Sequence, residues 1–125
     1  MRLRRNRLKQ YFLRPAETNK GREGDSYTEY GTACAFCAEI WPAGGKVQAE
    51  LYGARLGYIF NCLVHGRYSI RLSGNDRPEY DFGDFILREG DGVCLYVSAE
   101  DPPDYRIIAV RPYEILYMEV EKIAR

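Results

Sequence analysis

EIWPAGGKVQAELYGARLGYIFNCLV, residues Glu39–Val64, is the stretch whose reading decides the fold. Its two ends read as β-strand, and its middle carries the one convincing helical repeat in the chain. Val47, Leu51 and Ala54 fall at i, i+4 and i+7, so they share one stripe of a 3.6-residue helix. Gly44 and Gly45 stand where a glycine can cap the start. Gly57 stands where a left-handed residue ends a helix. The spacing predicts a helix over 46–56, about three turns long, which needs a surface to pack on.

Outward from this stretch, the chain reads as strands. RLKQYFLR (7–14) is a first strand that stops before Pro15, and the polar segment 16–29 reads as a loop. Ala33–Ile40 is a second strand, stopped by Trp41-Pro42. After the helix, Tyr58, Phe60, Cys62 and Val64 alternate on the expected core face, opposite Ile59, Asn61, Leu63 and His65. This strand reads as continuing past Gly66 into Arg67–Leu72, with Tyr68, Ile70 and Leu72 on one face. Residues 73–84 read as a polar loop, and Phe85–Leu87 as a short strand before the Gly90-Asp91-Gly92 turn. Val93–Ser98 is a further strand. Tyr105–Val110 and Tyr113–Glu121 pair as a hairpin across Arg111-Pro112, with Leu116, Met118 and Val120 facing inward.

Six main strands with one inserted helix, and no β-α-β alternation, argue against a parallel sheet. The expected fold is mainly β: a small antiparallel barrel of about six strands, with one short helix between strands 2 and 3. Barrel closure hides the strand edges. At 125 residues the chain is expected to form one domain: a basic arm over 1–6, a loop-helix insertion over 42–57, and an acidic loop or hairpin over 73–92.

Net charge is zero, which argues against bulk nucleic-acid binding. The distribution is uneven. Residues 1–14 carry Arg2, Arg4, Arg5, Arg7, Lys9 and Arg14 with no acid, whereas 74–91 carry Asp76, Glu79, Asp81, Asp84, Glu89 and Asp91 against Arg77 and Arg88. Opposite charge at two places suits contact between copies or with a charged partner. No apolar run approaches the ~20 residues of a membrane span, and no secretory signal is read. Eleven tyrosines are many for this length; they suit strands and also interfaces.

Cys34 and Cys37 form a C-x-x-C, but residues three apart on a strand face opposite ways and cannot share a metal without a bulge. Four buried, free cysteines in a reducing compartment are expected, with Cys62 and Cys94 in apolar runs and no metal or cofactor. His65, the one histidine, has no nucleophile at motif spacing. Asp101 and Asp104 read as turn residues, and Gly90-Asp91-Gly92 opens no helix, so it is no phosphate loop. No residue stands out as a catalyst, and the chain is not expected to be an enzyme.

The order of these features resembles the phage head–tail joining family, also called head closure or head–tail adaptor proteins. Leu8–Leu13 ending in Arg14-Pro15 looks like that family's opening strand with its "RP" exit. Cys37-Ala38-Glu39-Ile40-Trp41-Pro42, followed by Gly44 or Gly45, is similar to its "W-A-x-I-x-P…G" segment, with Cys37 where the family often has tryptophan. A helical stretch, here 46–56, and a basic-aromatic strand, here His65–Arg71, follow in the same order. Tyr105–Val110 looks like the family's "x-Y-x-I-x-x-V" strand. Residues 73–92 depart from it, being longer and more acidic.

The resemblance implies a structural virion protein of the phage neck, in the host cytoplasm before assembly. It would form a dodecameric ring on the portal or adaptor protein, receive the tail or a tail-completion protein, and help retain double-stranded DNA that passes without sequence-specific binding. Trp41, Lys46, Val47, Glu50, Leu51, Tyr52 and Arg55 would then face the channel or a neighbouring subunit. Arg2, Arg4, Arg5, Arg7, Asp81 and Asp84 would serve contacts between subunits or with a partner. The isolated protein is expected to be monomeric or weakly associated. Two alternatives stay open at this point. The helix is equally readable as a lid over one barrel end, packed through Val47, Leu51 and Ala54. The whole chain is also readable as an OB- or SH3-like barrel that binds nucleic acid through its basic arm and exposed tyrosines.

Overall fold

Alternating apolar residues in six segments close on themselves as a barrel. In a computed structural model, which describes residues 5–20, 26–72 and 77–123, the strands are β1 (Lys9–Arg14), β2 (Ala16–Lys20), β3 (Ser26–Tyr30), β4 (Cys34–Pro42), β5 (Ile59–Val64), β6 (Ser69–Arg71), β7 (Glu79–Asp81), β8 (Ile86–Leu87), β9 (Gly92–Cys94), β10 (Tyr105–Arg111) and β11 (Leu116–Lys122). The one α-helix among the described residues, α1 (Lys46–Tyr52), runs into a 3-10 turn over Gly53–Tyr58. The barrel order is β1-β4-β5-β11-β10-β9, antiparallel throughout, and β9 pairs back onto β1. Of these six strands, the second and third (β4 and β5) flank the helix, as expected.

The interior follows the period of two. Phe36, Ala38 and Ile40 of β4, Phe60, Cys62 and Val64 of β5, and Leu116, Met118 and Val120 of β11 share the core. Aromatic rings gather at both ends. Phe60, Tyr96 and Tyr105 meet where β5 and β10 begin, with centroids 5.6–6.2 Å apart. At the opposite end, beyond Val64, Tyr68 packs on Tyr80 and Phe82, and Phe82 stacks on Phe85 at 4.7 Å. Five of the eleven tyrosines (Tyr11, Tyr68, Tyr80, Tyr96 and Tyr105) thus serve ring packing inside or over the barrel.

Several expectations need correction. Segment 16–29 is a hairpin, not a loop: β2 pairs β3 from Ala16↔Tyr30 to Lys20↔Ser26. Its root is held by Arg14, whose guanidinium donates to the carbonyls of Gly31 (2.9 Å) and Tyr30 (3.1 Å). The polar segment 73–84 contains β7, which pairs both β6 and β8; Tyr80 turns inward between Glu79 and Asp81. Ile70 and Leu72 are exposed and share no core face with Tyr68. The strand expected over 93–98 stops at Cys94, because the Asp104 carboxylate takes the N–H groups of Leu95 (2.9 Å) and Tyr96 (3.0 Å). Asp101 likewise accepts from Ser98 N–H, so both aspartates are turn residues.

Only Cys62 and Cys94 are buried; Cys34 is half-buried and Cys37 exposed, and none of the four forms a disulfide. The Gly90-Asp91-Gly92 turn has a packing role. Asp91 is fully buried and accepts from Ala16 N–H (3.0 Å), Arg88 N–H (3.2 Å) and the Arg88 guanidinium (3.4 Å). Burial pushes its carboxyl pKa up, against the pull of those donors. A Cβ on Gly92 would lie 2.5 Å from Pro103 Cγ and 2.9 Å from Tyr30 Cε1, so only glycine fits there.

Candidate interface: a helix clamped to the barrel wall

The outward positions of β4, β5 and β11 form two complete rows across the wall. Trp41, Asn61 and Glu119 are in register, as are Glu39, Leu63 and Tyr117, and Ile59 stands beside Glu121. A face turned away from a barrel core is ordinarily wet. Here Asn61 is 5 % exposed and Glu119 2 %, because α1 lies over them. Burying an amide and a carboxylate is costly unless each finds partners.

Gln48 supplies the centre of that pairing. Its Nε2 donates to Asn61 Oδ1 (2.7 Å) and Glu119 Oε2 (2.8 Å), while its Oε1 accepts from Asn61 Nδ2 (3.2 Å) and from Gly44 N–H (3.0 Å). One side chain therefore binds the wall and ties down Gly44, just ahead of the helix. The Tyr117 hydroxyl donates to Asn61 Oδ1 at 2.8 Å, and its ring lies 6.4 Å from that of Trp41. Tyr52 donates to Glu119, and burial together with that carboxylate pushes its pKa up to about 12. Burial and the Glu119 charge also push the Tyr117 hydroxyl well above the ordinary phenol range. One turn further on, the Arg55 guanidinium grips Glu121 with two bonds of 2.7 and 2.8 Å and lies over the Tyr52 ring at 5.6 Å. Arg106 adds a contact at 3.6 Å, and the Arg55 bonds hold the Glu121 pKa below its ordinary 4.5. Among the described residues, no buried side-chain nitrogen or oxygen lacks a partner.

The docking stripe is thus Gln48, Tyr52 and Arg55, at i, i+4 and i+7. It is turned by one residue from the apolar stripe expected to pack. Val47 is 78 % exposed and Leu51 60 %, and Ala54 is exposed beside them. The lid expectation fails on this geometry, since the helix lies along the wall and its apolar stripe faces outward. The helix also ends earlier than expected. Gly53, at φ 56°, sits in the left-handed region and stops α1 after Tyr52; Gly57 does not. Tyr58 is exposed at the end of the 3-10 turn, outside the expected core face, while Ile59, Asn61 and Leu63 on the opposite face are buried.

The segment expected to form an interface is therefore split. Tyr52 and Arg55 face the wall, and Trp41 packs on Tyr117. Lys46, Val47, Glu50 and Leu51 are exposed. Among the charges expected to join subunits, Arg2 and Arg4 lie outside the described residues, and Arg5 opens the 3-10 turn Arg5–Arg7. Arg7 lies 4.0 Å from Glu39, and Asp81 is taken by Arg71 (3.2 Å) and by Gly83 N–H (2.8 Å). Asp84 is exposed. His65 is exposed just past β5. Gln48, Asn61, Tyr117, Glu119 and Glu121 were not singled out by sequence reasoning. The signal that marks them is a second helical stripe, 48/52/55, matched to polar alternation on β11.

Comparison of the chain with protein-family models, with curated proteins and with solved structures returns no match.

Proposed function

We propose that this chain is a structural protein of the phage neck, whose barrel presents α1 to a neighbouring subunit in a ring on the portal or its adaptor. The observation that carries the reading is the exposed stripe Val47–Leu51, on a helix held to the wall by its other side. A short helix of this kind ordinarily buries its apolar face. Spending polar residues on the docking side leaves the apolar side free for another molecule. In this role the protein works by geometry, making and breaking no covalent bond. The ring would help retain DNA and offer the tail a surface.

Mixing the purified protein with its portal–adaptor complex should give ring-shaped density below the portal in electron micrographs. Absence of that density at saturating protein overturns the proposal.

A further inference from the structure

At the barrel end where β4 begins, a cleft of about 420 Å³ opens between the root of β1 and the β7–β8 hairpin. Leu13, Pro15, Phe85 and Ile86 give it an apolar floor, and Glu79 and Asp84 line it as well. Arg88 also borders it, but its guanidinium is held by the Ala16 carbonyl (3.3 Å) and by buried Asp91 (3.4 Å). Among the described residues, Glu79 and Asp84 make no side-chain hydrogen bond or ion pair, unlike Asp81. The cleft therefore offers apolar contact together with two uncompensated negative charges.

The matching charge leaves the same molecule at the other end. β1 runs from Lys9, paired to Ala38, to Leu13, paired to Cys34, so the chain enters the barrel ~13 Å from the cleft. The turn Arg5–Arg7 lies further back, against β4, with Arg7 beside Glu39. Arg2 stands three residues before Arg5, so its backbone reaches at most ~11 Å from that turn and does not span β1 back to its own cleft. A neighbouring copy has no such restriction. Arg2, Leu3 and Arg4 alternate, so an extended arm sets both guanidinium groups on one side and a leucine on the other. That pattern fits two carboxylates beside an apolar floor.

We infer that this cleft receives the basic arm, residues 1–4, of a second copy of the chain. Donor and acceptor lie at opposite barrel ends, so the contact is head-to-tail, the type that closes into a ring or runs on as a filament. It deepens the neck reading by naming how neighbours join, and it is tested on the isolated chain, so its failure is separate from a failure to bind the portal.

A labelled peptide of residues 1–7, titrated with the full-length protein and followed by fluorescence anisotropy, should bind saturably. Binding should weaken roughly tenfold with Glu79→Gln/Asp84→Asn and should fall with added salt. Cys34, which lines the cleft and is half-buried, supplies a second readout. Full-length Arg4→Cys in a Cys37→Ser background, oxidised with copper–phenanthroline, should form disulfide-linked multimers that disappear when Cys34→Ser is added. Peptide binding indifferent to the double variant overturns the inference. So does a cross-linked product that stays monomeric, because the arm would then occupy its own cleft.

Discussion

The two sides of β5 and β11 are both buried, by opposite chemistry. Inside, Cys62, Val64, Leu116, Met118 and Val120 are sealed by apolar contact with the rest of the barrel. Outside, Asn61, Tyr117 and Glu119 are sealed by hydrogen bonds to Gln48 and Tyr52 and by each other. Apolar burial is non-directional and tolerates approximate partners, whereas a buried carboxylate needs a donor at a set place. The inner side therefore holds the barrel shut, and the outer side fixes where, and in which rotation, the helix lies. That rotation decides which helix face other molecules meet.

Substitutions that break the comparison should rank by side. Met118→Ala removes a fully buried core side chain and should cost about 2–5 kcal/mol in chemical denaturation, with the barrel and helix lost together. Gln48→Ala strips donors from Asn61 and Glu119 and should cost about 1–3 kcal/mol. Unlike the core variant, it should lower amide-exchange protection over Lys46–Tyr52 while β10 and β11 stay protected. Uniform loss of protection would mean the two sides form one cooperative unit.

The Arg55–Glu121 pair sharpens the contrast through pH. The Glu121 pKa is lowered in the folded protein by the Arg55 hydrogen bonds, so the pair's contribution is present above the ordinary value of 4.5 and is lost as pH falls through the folded pKa. Arg55→Ala should therefore be less stable than the parent at neutral pH, by less than Gln48→Ala. That difference should shrink below pH 4.5 as the parent carboxylate is protonated. A gap that widens on acidification would assign the Arg55 contribution to its contact with Tyr52 instead. The smallest stability effect belongs to the exposed stripe. Leu51→Lys should change unfolding free energy by less than about 0.5 kcal/mol yet abolish ring density on the portal. Retained ring density would move the subunit contact off α1.

Legibility in the sequence followed the same division. Leu116, Met118 and Val120 can be read as inward from alternation alone, and so can the hairpin they belong to, because apolar residues at period two have one sensible placement. Arg14-Pro15 marks the exit of β1 for a local reason: proline cannot extend the ladder. The β2–β3 hairpin and β7 are hidden because their strands are short and polar, with no run of alternating apolar residues to mark them. The helix was found, but its orientation was misread. Val47, Leu51 and Ala54 look like the packing face, and nothing local says that Gln48, Tyr52 and Arg55 have buried partners waiting on strands many residues away.

The Glu39–Val64 stretch shows where the boundary falls. Its own residues determine that two strands flank one short helix, because alternation, proline, glycine and helical spacing are properties of neighbours in the chain. They also determine that two stripes exist, one apolar and one polar. Only the tertiary structure decides which stripe is spent inward. That choice depends on Glu119 and Glu121, some 70 residues beyond Gln48, standing on β11 in register with Asn61 and Ile59. A carboxylate buried there without donors is costlier than two aliphatic side chains left in water, so the polar stripe docks and the apolar one faces out.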